Sequence, residues 1–263
     1  NRMTKQQTPP QDAQTADQVL KSIDGNDRAA IRKQTWRIAV PVIIANSSIP
    51  LVGIVDTAVM GHLDSPHYIG AVAMGSFILS LILAIFGFLR MATTGFVAQA
   101  AGANDGAMVL THFWRALYVA VILGLLTILL IPLIIYLASI TLSMSDEVRE
   151  GMSRYLTIVC ISAPAITINM VIMGVMFGLQ RIGATVIQLI TVNSINIIGN
   201  IILVYGLGMR IEGVALATAI SHYSGLLVTL PMVIIAIKRI TPLSFLSLNV
   251  IMNLDAMRRY LGL

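Results

Sequence analysis

The chain has 263 residues, of which 57% are hydrophobic and only 11% charged, against about 25% charged in soluble domains. That balance excludes a water-soluble globular domain, and the single cysteine, Cys160, excludes an intrachain disulfide framework and a paired-thiol metal site. The charges crowd into positions 1–37 and 238–263, so the net charge of +5 reflects basic ends and calls for no nucleic-acid partner.

Residues 1–33 are polar, include Pro9 and Pro10, and show no sustained apolar period, which predicts a disordered tail. A secretory signal would need an apolar stretch within that region, but the first long apolar run begins near Trp36. From there the chain predicts an all-α, polytopic membrane protein. A hydrocarbon layer about 30 Å thick takes about 20 helical residues to cross. Apolar runs at 36–61, 69–91, 113–138, 154–179, 183–207 and 213–237 meet that length, separated by DSPHY, AAGANDG, SMSDEVREG, QRIG and GMRIEG. Residues 34–238 are thus expected to form a six-transmembrane-helix bundle of antiparallel neighbours, followed by a cytoplasmic segment at 239–263.

Lys and Arg in short loops stay cytoplasmic. One side of the predicted topology collects the tail cations with Arg37, Arg90, Arg115, Arg181, Lys238, Arg239, Arg258 and Arg259, while the other has only Arg149, Arg154 and Arg210. Both termini are therefore expected in the cytoplasm, which independently requires an even number of spans. Trp36, Tyr68, Trp114, Tyr118, Tyr136 and Tyr205 fall near span ends, where amphipathic aromatics anchor at the interface. Arg90 reads as a snorkelling residue closing the second span.

Several polar residues lie at membrane depth. Asp56 is the one acid well inside a span, where a lipid-facing carboxylate costs about 2.5 to 3.5 kcal/mol. It shares a helical face with Asn46 and Gly53, and either faces an internal cavity, taking and releasing a proton, or snorkels to the interface. Asn193, Asn196 and Asn200 stack on one face of the fifth span; they either glue the bundle by interhelical hydrogen bonds or line an ion or substrate path. In the sixth span Gly213, Ala217, Ser221 and Gly225 recur every fourth residue, the small-residue spacing of close helix packing. Thr218 and His222 lie on an adjoining face, the histidine either a structural group or a proton carrier. Asn169, Met173, Met176 and Gln180 form a stripe in the fourth span, as core packing or as an adaptable substrate surface. The chain lacks G-x-S-x-G, H-E-x-x-H and G-x-x-x-x-G-K-[ST], which argues against an enzyme or a nucleotide-driven motor, and no cofactor is expected.

Four segments resemble one known family. VDTAVMGHL at 55–63, GFLRMATTGFVAQAAGA at 87–103, GLQRIGAT at 178–185, and NIIGNIILVYGLG with EGVALAT at 196–208 and 212–218 are similar to segments of the multidrug and toxic compound extrusion (MATE) transporters, in particular the DNA-damage-inducible protein F type. The similarity covers roughly residues 30–240.

The resemblance implies the amino-terminal lobe of a twelve-helix, two-lobe (6+6) antiporter of a bacterial inner membrane. LDAMRRYLGL at 254–263 resembles the linker toward a second, carboxy-terminal six-helix lobe that this chain lacks. The chain alone is therefore expected not to transport, as a truncated or split product would not. Expected partners are membrane lipid, that second lobe, and organic cations or amphipathic drug-like substrates. By the same resemblance Asp56 matches the family's coupling acid and Pro41 a proline whose bend accompanies its change of state. Asn196 and Thr218 match the amino-lobe cation site, in which Asn200 replaces an acid. Losing that charge weakens a sodium site, so protons are the expected coupling ion, with sodium the alternative. Asn169, Met173, Asn193 and His222 fall near positions that line the drug cavity in members of that family. The rival functions are a lipid-linked precursor flippase of the same superfamily and a non-transporting membrane fragment.

Overall fold

The computed structural model describes residues 58–61 and 66–242, together with single helical positions at Arg32, Trp36, Ala39, Val40 and Ile43. The chain divides into two compact units, Asn1–Ile44 and Ala45–Leu263. The described positions of the first are helical; the following concerns the second.

Every regular element between residues 66 and 242 is helical. In chain order they are α1 (His67–Gly102), α2 (Gly106–Thr141), α3 (Asp146–Val159), a 3-10 turn (Cys160–Ser162), α4 (Ala163–Gly178), α5 (Ile182–Asn200), a π-helical segment (Ile201–Gly206) and α6 (Ile211–Lys238). Among the described residues five helices are long and apolar enough to cross a membrane, α3 with α4 and α5 with its π segment each counting as one. Most of the predicted first span, 36–61, lies outside the described residues; Ala58 to Gly61 at its end are helical, and Val59 and Met60 are buried.

Helix ends depart from the predicted ones. The second span does not close at Arg90: α1 runs on to Gly102, and α2 starts at Gly106 rather than at 113. At 36 residues each, these helices are about 54 Å long, well beyond the hydrocarbon thickness. Arg90 interrupts the apolar run of the sequence, but arginine is a good helix former, so the helix continues past it. The turn between them is set by Asn104, at φ 54°, where the Asp105 N–H donates to the Ala100 carbonyl at 2.9 Å, the closure of a Schellman motif. The Asp105 carboxylate then caps α2, accepting from the Met108 N–H at 2.9 Å. Gln180 repeats the device between α4 and α5, with φ 57° and the Arg181 N–H on the Met176 carbonyl at 2.7 Å.

The segment read as the break SMSDEVREG is mostly helix as well. Ser145 caps α3, and Asp146 and Glu147 occupy its first turn, where carboxylates offset the helix dipole. Further along, Pro164 has no N–H to return to the Cys160 carbonyl; the chain tightens into the 3-10 turn there and resumes as α4.

The core has two apolar clusters. One joins Leu89, Val97, Val109, Phe113, Ile172, Met176, Val233 and Ile237; the other joins Met60, Val72, Leu79, Ile131, Met152, Leu156, Val204 and Val214. Along α2, α4 with the turn before it, and α6, the buried Thr127, Ser162, Thr167, Asn169 and Ser221 fall between them, forming a polar belt. Helices touch backbone to backbone in this belt. A Cβ on Gly124 would lie 2.5 Å from Pro164 Cα, and the Thr167 hydroxyl donates to the Ala120 carbonyl at 2.8 Å. α4 approaches α1 through Gly174 and Gly178, whose added Cβ atoms would meet Thr93 and Val97 at 2.8 and 2.7 Å.

Gly124→Ala is therefore expected to lower stability by about 1 to 3 kcal/mol, read as a fall in the thermal midpoint of the detergent-solubilised chain. Gly183→Ala, where an added methyl meets nothing within 4 Å, is expected to leave that midpoint unchanged or raise it, since alanine is the better helix former.

Candidate functional site

α5 inverts the usual amphipathic pattern. Its buried residues are Ala184, Thr185, Gln188, Asn196 and Asn200, four of the five polar, while Ile187, Ile190, Ile198 and Ile201 point outward and are exposed. In a bundle bathed in lipid this is the stable arrangement, because apolar side chains lose nothing by facing acyl chains and amides must find partners.

The partners come from α4 and α6. Asn196 Nδ2 donates to Thr218 Oγ1 at 3.1 Å, and Asn200 Nδ2 donates to Asn196 Oδ1 at 3.2 Å. The Thr218 hydroxyl in turn donates to the Val214 carbonyl at 3.0 Å. Asn196 is 3% exposed and Asn200 fully buried. Three residues singled out in the sequence, Asn196, Asn200 and Thr218, thus form one continuous chain of hydrogen bonds across the α5–α6 contact.

The small residues of α6 bring the backbones close enough for this chain. Gly199 faces Ala217, where an added Cβ would stand 3.0 Å from the alanine methyl, and a Cβ on Gly225 would lie 2.5 Å from Val192 Cγ2. Just after Asn200 the helix widens to a π turn, in which the Leu207 N–H reaches the Ile202 carbonyl at 3.0 Å.

A second group lies where α4 meets α5 and α6. Asn169 Nδ2 donates to the backbone carbonyl of His222 at 2.9 Å, and Gln188 Nε2 donates to the Asn169 carbonyl at 3.4 Å. His222 enters through its main chain; its side chain is half-buried, as are those of Met173, one turn beyond Asn169, and Asn193. Gln188 and Thr185 were not among the residues anticipated. They lie on the stripe of Asn196 and Asn200, at spacings of three and eight that a longer reading of the α5 face contains. Asp56 and Pro41, with Asn46 and Gly53, lie outside the described residues.

The seam carries no formal charge. Of the described acids, Asp105, Asp146, Glu147 and Glu212 stand at a helix start or in the turn before it, and Glu150 lies one turn into α3. What the arrangement offers is a line of amide and hydroxyl groups bonded to one another and to backbone, with no fixed charge of its own.

The MatE family profile matches residues 41–202. The chain is 43% identical over 201 residues to DNA damage-inducible protein F of Escherichia coli strain K12, covering 76% of this chain and 44% of that protein. It is 28% identical over 197 residues to the probable multidrug resistance protein NorM of Acinetobacter baylyi, covering 73% of this chain and 43% of that one. The chain thus spans about half the length of the curated relatives it matches. Among solved structures, the outward-facing conformation of a multidrug resistance MATE family transporter superposes with a TM-score of 0.74 at 23% identity, over 86% of this chain and 49% of that one; that likeness bears on the fold.

The hydrogen bond between Asn196 and Thr218 should appear as energetic coupling. In a double-mutant cycle with Asn196→Ala and Thr218→Val, followed by unfolding in mixed micelles, a coupling of about 0.6 to 1.7 kcal/mol is expected; strictly additive losses would show that the two side chains act independently.

Proposed function

The chain belongs to the MatE family, whose members are transporters and not enzymes, and from that premise we propose that it is the amino-terminal six-helix lobe of a proton-coupled multidrug antiporter of a bacterial inner membrane. The observation that carries this reading is the neutral hydrogen-bonded seam of Asn196, Asn200 and Thr218 buried between two lipid-embedded helices. An uncharged seam leaves Asp56 as the titrating partner on the first span, because the acid that the resemblance expects at residue 200 is here an amide.

In this mechanism Asp56 alternates between a carboxylate and a neutral acid. Desolvation favours the neutral form, so a proton arriving from outside is retained while the site is closed to water. Protonation of that side chain, with the first span bending at Pro41, releases the bound organic cation or amphipathic drug outward. Asn169, Met173, Asn193 and His222 line the substrate's cavity, the methionine adapting to different apolar shapes. Residues 1–33 form a cytoplasmic tail, 34–238 the lobe, and 239–263 the cytoplasmic linker to the carboxy-terminal six-helix lobe. Rocking one bundle against another requires both, so efflux belongs to the two-lobe assembly.

The test is efflux by a two-lobe protein carrying this lobe, reconstituted in liposomes with pH and sodium gradients imposed separately. Asp56→Asn is expected to abolish efflux driven by a pH gradient without reducing the amount inserted; undiminished efflux would refute the assignment. Asn200→Asp, which returns a second carboxylate to the seam, is expected to make efflux respond to a sodium gradient that leaves the unaltered protein indifferent. A sodium response already present in the unaltered protein would overturn proton coupling.

A further inference from the structure

Three helices start at one end of the bundle, α1 at His67, α3 at Asp146 and α6 at Ile211. Their first turns surround a cavity of about 250 Å³ lined by Tyr68, Glu147, Glu150, Arg154, Arg210 and Glu212. That volume lies below the roughly 300 to 1,000 Å³ of sites for drug-sized molecules, which points to a compact polar ligand. The seam residues do not line it.

The charges around the cavity are unequally satisfied. Arg154 donates to Glu150 at 2.6 Å and to Glu212 at 3.2 Å, tying α3 to α6. Arg210 has no carboxylate within ion-pair distance among the described residues; its guanidinium instead stands 5.7 Å from the centre of the Tyr68 ring, a cation–π contact that leaves its N–H edge available. Glu147 pairs with no lysine or arginine among the described residues. Glu147 and Glu212 lie in first turns, where they offset the partial positive charge of the helix starts. Among the described residues one cation, Arg210, thus remains without an ionic partner, the Glu147 carboxylate has only the His67 imidazole, which also lines the cavity, as a cationic neighbour, and the cavity lies where α1, α3 and α6 begin.

We infer that this cavity binds a phosphoethanolamine-type zwitterion, its phosphate on Arg210 and its primary ammonium on Glu147. Guanidinium matches phosphate oxygens in a bidentate fork, and a primary ammonium brings three N–H donors for the Glu147 and Glu150 carboxylates, which a trimethylated ammonium lacks. The chemistry is shared by the headgroup of phosphatidylethanolamine and by soluble glycerophosphoethanolamine. The inference does not depend on the transport mechanism.

The full chain, placed in nanodiscs of equal phosphatidylethanolamine, phosphatidylglycerol and phosphatidylcholine and released for native mass spectrometry, is expected to retain phosphatidylethanolamine about fivefold over either competitor, the scale of one exposed charge pair. Arg210→Gln and Glu147→Gln, both at exposed positions, should each bring retention to parity while total bound lipid stays constant as the check on folding, and Arg210→Lys should keep part of the preference. Equal retention of the three lipids by the unaltered chain, or a preference that survives both substitutions, would overturn the inference. Adding glycerophosphoethanolamine separates the sources: displacement shows that the headgroup alone is the ligand, whereas a preference it cannot displace assigns the site to the membrane lipid.

Discussion

A buried amide in a lipid-embedded helix must be met by another polar group, because neither water nor acyl chains will satisfy it. That constraint fixes α5 against its neighbours. Asn196 and Asn200 can be buried only if Thr218 is at hand, and Thr218 can be at hand only if the α6 backbone comes close, which Ala217 and Gly225 permit by presenting almost no side chain. Asn169 and Gln188 extend the same requirement to α4 by bonding to main-chain carbonyls. The rotational setting of α5 follows, with its isoleucines directed to lipid.

Close backbone approach recurs throughout the bundle. Gly124 against Pro164, Gly174 against Thr93 and Gly178 against Val97 are contacts in which dispersion and shape matter more than hydrophobic transfer, since lipid tails are as apolar as leucine. The two apolar clusters bracket a belt of threonine, serine and asparagine whose hydroxyls and amides bond mainly to backbone. Such packing resists continuous deformation. Any change of shape is therefore concentrated at a few places rather than spread through the bundle.

The spans were legible in the sequence because hydrocarbon thickness sets their length, and the small-residue stripe of α6 was legible because its spacing is that of a helix face. Helix ends were less so. Arg90 interrupts the apolar run, whereas the end of α1 is decided further along at Asn104 by backbone conformation. Ser145 with Asp146 and Glu147 is a helix start as much as a polar break, and composition alone does not separate the two. The three-amide stripe was visible, yet which of its members would be buried depended on the neighbours: Asn196 and Asn200 are, Asn193 only partly, and Gln188, two turns earlier, takes part instead. Asp56, on which the proposed coupling rests, lies outside the described residues.

The π turn at Ile201–Gly206 carries one residue more than an α-helical path of the same pitch would need. It therefore acts as a phase adjuster. Upstream, Asn196 and Asn200 keep the register that α6 demands; downstream, the chain reaches Gly208, at φ 66°, with its orientation reset for the return into α6. A lineage that dropped one codon from this stretch would straighten the coil without disturbing the amides before it, so length variation here is expected to be tolerated where the same loss a single turn earlier would break the seam.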